Sequence, residues 1–202
     1  NFKNGSINLN YNYKLNKKGA EVLVNADYIK YRSELNQNLL NTLYLPNGAF
    51  DSKTNLVSNL PADIAIYSFK ADYTLPLKNN AKAEAGVKTS KVNTDNIANF
   101  FDENNNVLTP NYDFSNNFKY NENINAVYLN YSQQKKRFGY QLGLRLENTI
   151  MQGNQTGNPV RNDSSFKRTY TNLFPTVFLQ YNLDSAGKNV LGFNFGRRIN
   201  RP

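Results

Sequence analysis

The sequence predicts an all-β protein: an antiparallel, up-and-down sheet that forms a segment of a transmembrane β-barrel, with about eight strands in four hairpins. Three observations predict it. Apolar and polar residues alternate with period two along much of the chain, as in strands whose two faces differ. Only 39 % of the 202 residues are hydrophobic and the mean hydropathy is −0.68, yet 14 Tyr and 13 Phe supply many strand-forming aromatics. Short polar turns alternate with long connections.

Each predicted hairpin joins two alternating runs through a short polar turn. In the first run, Ile7, Leu9 and Tyr11 share one face while Asn8 and Asn10 share the other. The four pairs of runs are 6–15 with 20–28, 65–75 with 83–89, 127–131 with 140–146, and 173–183 with 191–199. Such runs suit a tilted membrane strand, which needs about 9–11 residues.

The connections between hairpins are predicted to be long loops, at about 32–62, 94–123 and 150–169. Structureless loops of that length are uncommon in compact domains. Outer-membrane barrels, however, have short turns on the periplasmic side and long loops outside, with strands that are apolar toward lipid and polar toward the lumen. The loop pattern therefore favours a barrel.

Composition excludes many functional classes. The chain has no Cys and no His, so disulfides, Cys/His zinc sites, thiol catalysis and His-based triads are excluded. No apolar stretch of about 18 residues could form a transmembrane helix. An acidic, Asn-rich segment at 102–113 resembles the spacing of a calcium loop but has Val107 where that loop requires Gly. Composition leaves catalysis by carboxylates or Lys open. We predict no cofactor and no metal site.

Four segments carry a family resemblance. They are Glu122–Tyr128, Phe138–Thr149, Tyr170–Thr176 and Gly196–Pro202, with the strings GLRLE, LFP and RRINRP. The chain resembles the barrel of TonB-dependent outer-membrane receptors, and more narrowly the outer-membrane β-barrel family common in Bacteroidetes.

The resemblance implies a location in the outer membrane of a Gram-negative bacterium and a parent barrel of about 22 strands around a plug. Residues 1–202 would then be a partial barrel domain that lacks the plug and the remaining strands. The implied partners are outer-membrane lipid, the plug of the same parent chain and TonB. The implied function is import of a scarce or bulky ligand, whether a small molecule, a glycan or a peptide. Because such import makes or breaks no covalent bond, we predict no enzymatic activity.

Candidate ligand-binding or lumen-lining residues lie on the polar faces of two C-terminal strands. Arg145 and Glu147 are two residues apart and so project to the same side of one strand, together with Gln141. Arg198 and Asn200 occupy the equivalent face of the predicted last strand. Arg145 and Glu147 could pair with each other, with a plug or with a ligand.

Three alternatives remain open from the sequence. The chain could be a small, complete, non-energised barrel acting as an anchor or pore, or a soluble β-sandwich that serves as a binding or adhesion module. The excess of 24 basic over 15 acidic residues raises a third, a nucleic-acid-binding module. Such a module needs aromatics and cations on one exposed face, whereas here the aromatics share faces with Leu and Val. We therefore predict no nucleic-acid partner.

Overall fold

The computed structural model describes residues 1–184 and 187–199. All regular structure in this part of the chain is β, and it contains no helix long and apolar enough to cross a bilayer. The strands are β1 (Phe2–Lys14), β2 (Glu21–Tyr44), β3 (Phe50–Pro76), β4 (Ala81–Asn104), β5 (Val107–Pro110), β6 (Asn116–Lys135), β7 (Phe138–Thr156), β8 (Ser164–Asn182) and β9 (Val190–Gly196).

The strands form one antiparallel sheet in the order β1-β2-β3-β4-β6-β7-β8-β9, with the short β5 pairing beside the end of β4. Apart from the short β5, each strand pairs with the next one along the chain, so the predicted up-and-down, all-β barrel segment is confirmed. The sheet is a single layer whose edges, within the described residues, are β1 and β9. Its apolar stripes are open: Ile7 is 69 % exposed and Leu129 is 63 % exposed. A sandwich would bury these side chains between two layers, so the structure does not support that alternative.

One face of the sheet, called here the outer face, carries an apolar band. On β3 the band runs from Tyr67 to Leu75 and on β7 from Tyr140 to its polar margin at Asn148, a span of nine residues on each strand. Every second residue within it is apolar or, at its margins, an uncharged polar residue. Because this span matches the strand length that crosses a bilayer, the band is the lipid-facing surface.

Aromatic residues mark both margins of the apolar band. Near the short turns, the rings of Tyr131 and Tyr140 lie 5.9 Å apart on neighbouring strands. At the opposite margin, the rings of Tyr28 and Tyr67 lie 5.0 Å apart. Amphipathic rings of this kind occupy the two membrane–water interfaces of outer-membrane barrels.

A row of uncharged polar residues forms the far edge of the band. Thr89, Asn125, Asn148 and Thr171 follow one another across β4, β6, β7 and β8. Thr89 donates to Asn125 Oδ1 at 2.7 Å, and Asn148 donates to Thr171 Oγ1 at 2.9 Å. These bonds satisfy side-chain polar groups where the strands leave the apolar band.

The three predicted long loops are wrong, because most of their residues are strand. β2 continues to Tyr44 and β3 already begins at Phe50, so that only a short turn joins them. Strands likewise occupy much of 94–123 and 150–169. Asn105 and Asn106 make the two-residue turn into β5, both with positive φ (52° and 63°), a conformation that Asn tolerates.

The reason is a change of phase in the alternation. On β2 most apolar residues are even-numbered up to Tyr28 and odd-numbered from Ile29 to Leu39; Leu23 is an exception. On β3 the change falls between Ile66 and Tyr67. The register between these strands is unbroken there, so no bulge causes it. Beyond the band, the outer face becomes charged, as in the 3.3 Å Arg32–Asp63 ion pair.

Cysteine labelling tests this orientation, since the chain contains no native cysteine. In a parent chain free of other cysteines, we expect Asn47→Cys, in the β2–β3 turn, to react with a membrane-impermeant maleimide on intact cells. Lys78→Cys, in the β3–β4 turn, should react only after the outer membrane is permeabilised. Val87→Cys, on the band, should resist the reagent in both conditions. Labelling of Lys78→Cys on intact cells would contradict the assigned orientation.

Candidate functional site: a cationic basin on the inner face

The face opposite the apolar band, called here the inner face, carries ionisable side chains at the depth of the band. On β3, Lys70 Nζ lies 2.7 Å from Asp72 Oδ2. Tyr128, from β6, donates its hydroxyl hydrogen bond to the other oxygen of Asp72. Asp72 thus joins a neighbouring lysine on its own strand to a tyrosine two strands away.

Gly86 makes the reach of Tyr128 possible. Gly86 lies on β4 directly opposite Tyr128, and the phenol ring covers it on the way to Asp72. A Cβ at this position would overlap the ring. Two cations also lie near the ring, with Lys70 Nζ 6.0 Å and Arg145 Cζ 5.8 Å from its centroid. Both distances are within the range of cation–π attraction.

Arg145 and Glu147 form the second polar pair. The Arg145 Nε and Nη2 atoms donate to the same oxygen, Glu147 Oε2, at 3.0 and 2.7 Å. The Glu147 side chain is 8 % exposed and that of Arg145 is 32 % exposed. Strand geometry explains the pairing, because residues two apart project from the same face. The structure therefore brings these two predicted residues together as an ion pair.

These groups line a concavity of about 800 Å³, called here the basin. Its wall includes five cationic side chains, Lys70, Lys88, Arg145, Arg197 and Arg198, with the Glu147 carboxylate among them. Asn130, Thr176 and the rings of Tyr128 and Phe174 complete much of the polar and aromatic surface.

The predicted site residues fall into three groups. Arg145, Glu147 and Arg198 line the basin. Gln141 is on the inner face but lines a separate concavity of about 300 Å³ nearer the short turns. Asn200 lies outside the described residues. Because β9 ends at Gly196, the prediction that Arg198 lies on the last strand is wrong; it follows that strand.

Lys70, Lys88, Asp72 and Tyr128 are basin or network residues that the sequence analysis did not select. Alternation placed Lys70, Asp72 and Lys88 on polar faces, but it could not show that β3, β4 and β6 bring them beside Arg145. The available signal was Gly86 inside a strand, because an interior strand glycine often marks a close approach by another group.

Replacing Gly86 tests that approach. We expect Gly86→Ala to lower the free energy of unfolding by about 1–2 kcal/mol, because the new Cβ displaces the Tyr128 ring and breaks its bond to Asp72. Gly192→Ala is the matched control: it also lies within a strand, and a Cβ there meets no atom within 4 Å. Denaturant titration in detergent should show that a Tyr128→Ala background reduces the effect of Gly86→Ala. An undiminished effect would contradict the ring as its cause.

Comparison with known proteins agrees with this architecture. Residues 13–202 match the model of the outer membrane protein beta-barrel family. No curated protein sequence matches the chain. The chain is similar in fold to the ferric citrate transporter FecA in its unliganded form, with 13 % identity over 91 % of this chain and 25 % of that chain and a TM-score of 0.58.

Two further solved structures give the same result. The ferric yersiniabactin uptake receptor FyuA from Yersinia pestis has 11 % identity, coverage of 90 % of this chain and 26 % of that chain, and a TM-score of 0.61. The open form of the ferric-catecholate import receptor Fiu from E. coli K12 has 12 % identity, coverage of 96 % and 35 %, and a TM-score of 0.66.

The chain therefore spans between a quarter and about a third of the length of these structures. At such identities the likeness establishes the fold, while the family match covers nearly the whole chain. The predicted receptor-barrel resemblance and the location in the outer membrane of a Gram-negative bacterium are confirmed. The chain belongs to the outer membrane protein β-barrel family.

Proposed function

We propose that residues 1–202 are part of the barrel wall of an outer-membrane receptor that imports a scarce or bulky ligand. In this proposal a plug domain of the same parent chain occupies the barrel, TonB supplies energy through the plug, and the inner face contacts the ligand during passage. No covalent bond is made or broken, so the protein acts as a transporter and not as an enzyme. The assignment to the Bacteroidetes remains part of the prediction.

The observation that carries this proposal is the basin. Lys70, Arg145 and Glu147 lie at the depth of the apolar band but on its opposite face. Ionisable groups at membrane depth are costly unless they face a protein interior or a water-filled cavity, and they mark substrate or ion pathways. An anchor needs the apolar band but has no requirement for such a wall.

Solute depletion from the medium tests the proposal. A strain that produces the parent protein and a strain that lacks it would be grown in the same medium, and the remaining solutes measured by mass spectrometry. We expect a small set of solutes to stay in the medium of the deficient strain and to disappear again when the gene is restored. Removal of TonB from the producing strain should have the same effect as loss of the parent protein.

Two outcomes would contradict the proposal. Identical solute profiles with and without the parent protein would favour an anchor. Depletion that persists without TonB would favour a non-energised pore.

A further inference from the structure

The charges of the basin do not balance. Two of its cations have carboxylate partners in the structure: Arg145 pairs with Glu147 and Lys70 pairs with Asp72. The other cations, Lys88, Arg197 and Arg198, have no ion pair among the described residues. The described wall of the basin therefore carries an excess of about three positive charges.

Arg197 is held in place by neutral acceptors. Its Nη1 atom donates to the Leu173 carbonyl oxygen and its Nη2 atom to Asn172 Oδ1, both at 3.3 Å. Its backbone N–H donates to the Pro175 carbonyl oxygen at 3.2 Å. These bonds orient the guanidinium without neutralising it. A positioned guanidinium binds carboxylate, phosphate or sulfate groups more strongly than a neutral donor does.

The position of the basin makes this excess informative. Lys88 precedes Thr89, a member of the polar row that ends the apolar band. Lys70 lies directly opposite Lys88 on the neighbouring strand β3. The cations are thus at the depth of the apolar band but on the opposite face of the sheet, where Lys70 and Lys88 are half-buried and Arg197 and Arg198 are exposed. Like charges gathered in one concavity repel one another. A group that supplies negative charge would therefore stabilise the basin, and the exposed guanidinium groups are accessible to it.

We propose that the basin binds a diffusible ligand that carries several negative charges, as carboxylate, phosphate or sulfate groups. This inference rests on the proposed import function and specifies the chemistry of its ligand. The volume of about 800 Å³ lies within the usual range of ligand sites. Charged groups would contact Lys88, Arg197 and Arg198, while Phe174 and Tyr128 offer ring surface to the uncharged part of the ligand.

The test uses the full-length parent protein, purified in a non-ionic detergent. The probe is pyrene-1,3,6,8-tetrasulfonate, a fluorescent polyanion, whose anisotropy reports binding; inorganic pyrophosphate serves as the competitor. We expect saturable binding that pyrophosphate displaces. The double variant Lys88→Gln/Arg198→Gln should weaken this binding by about tenfold or more, since each of its two substitutions removes a charged donor.

Lys17→Gln/Lys18→Gln is the matched control. It removes the same net charge from the exposed β1–β2 turn, and we expect less than a twofold change. Heat-modifiable migration on gels verifies that each variant is folded. Equal weakening in the two double variants would show a general charge effect and overturn the proposal. Absence of binding to the wild-type protein would also overturn it, as expected if an acidic segment of the parent chain already neutralises the basin.

The outcomes separate this inference from the proposed function. If the parent protein depletes a solute through TonB but does not bind the polyanion, import stands and the anionic ligand is wrong. If no solute is depleted, the import function fails whatever the probe binds.

Discussion

Leu144→Arg is expected to reduce the stability of the membrane-inserted barrel by about 2–4 kcal/mol. Leu144 lies on the outer face of β7, four residues from Tyr140 at one margin of the apolar band and four from Asn148 at the other. Leu144 is 47 % exposed on this face of the sheet, as expected of a residue that contacts lipid. An arginine at this central position would place its charge among acyl chains, where the cost of an outward-facing charge is greatest.

Gln141→Arg is the matched control for this prediction. Gln141 lies on the same strand as Leu144, and both substitutions introduce arginine. The Gln141 side chain, however, projects from the inner face and is exposed. We expect little change in its folded fraction. The measurement is the equilibrium folding of the parent protein into lipid vesicles, followed by heat-modifiable migration. Equal losses for the two variants would mean that the faces are assigned incorrectly.

The alternation that supports this prediction was readable because most Leu and Val residues keep one parity within the apolar band, although Leu23 and Tyr128 lie on the opposite face. Beyond the band the same rule failed. On β2, Tyr28 and Ile29 are adjacent apolar residues that belong to opposite faces, so a window across them shows no period. The strand continues because the backbone pairing continues. The alternation indicates which medium each face of a strand contacts. Where that medium changes along the strand, the alternation is interrupted and no longer predicts that the strand continues.

The candidate site was predictable only in part, for a similar reason. Arg145 and Glu147 lie two residues apart on one strand, so their pairing depends on local geometry alone. The link from Tyr128 to Asp72 passes over Gly86 and joins residues 56 apart in the chain. That contact requires the register of three strands, which alternation does not specify. The basin is a property of the assembled sheet.

Arg145→Met is expected to lower the free energy of unfolding by about 2–3 kcal/mol, somewhat below the loss typical of a fully buried pair because Arg145 is a third exposed. The change removes two charged donors from a carboxylate that is 8 % exposed. Arg145→Lys should lose less, since it keeps the charge without the two-donor geometry. Denaturant titration of the parent protein in detergent would measure both.

The Lys82–Glu84 pair provides a more exposed control. It has the same spacing of two residues, lies on the same inner face and has an Nζ–Oε1 distance of 2.8 Å, but its side chains are 47 % and 31 % exposed. We expect Lys82→Met to cost less than about 1 kcal/mol, as for other exposed pairs. If Arg145→Met cost no more than Lys82→Met, the low exposure of Glu147 would add nothing to the strength of its pair with Arg145. A larger cost is the expected result, because Glu147 is more buried and because Arg145 has a second donor and a contact with the Tyr128 ring that Lys82 lacks.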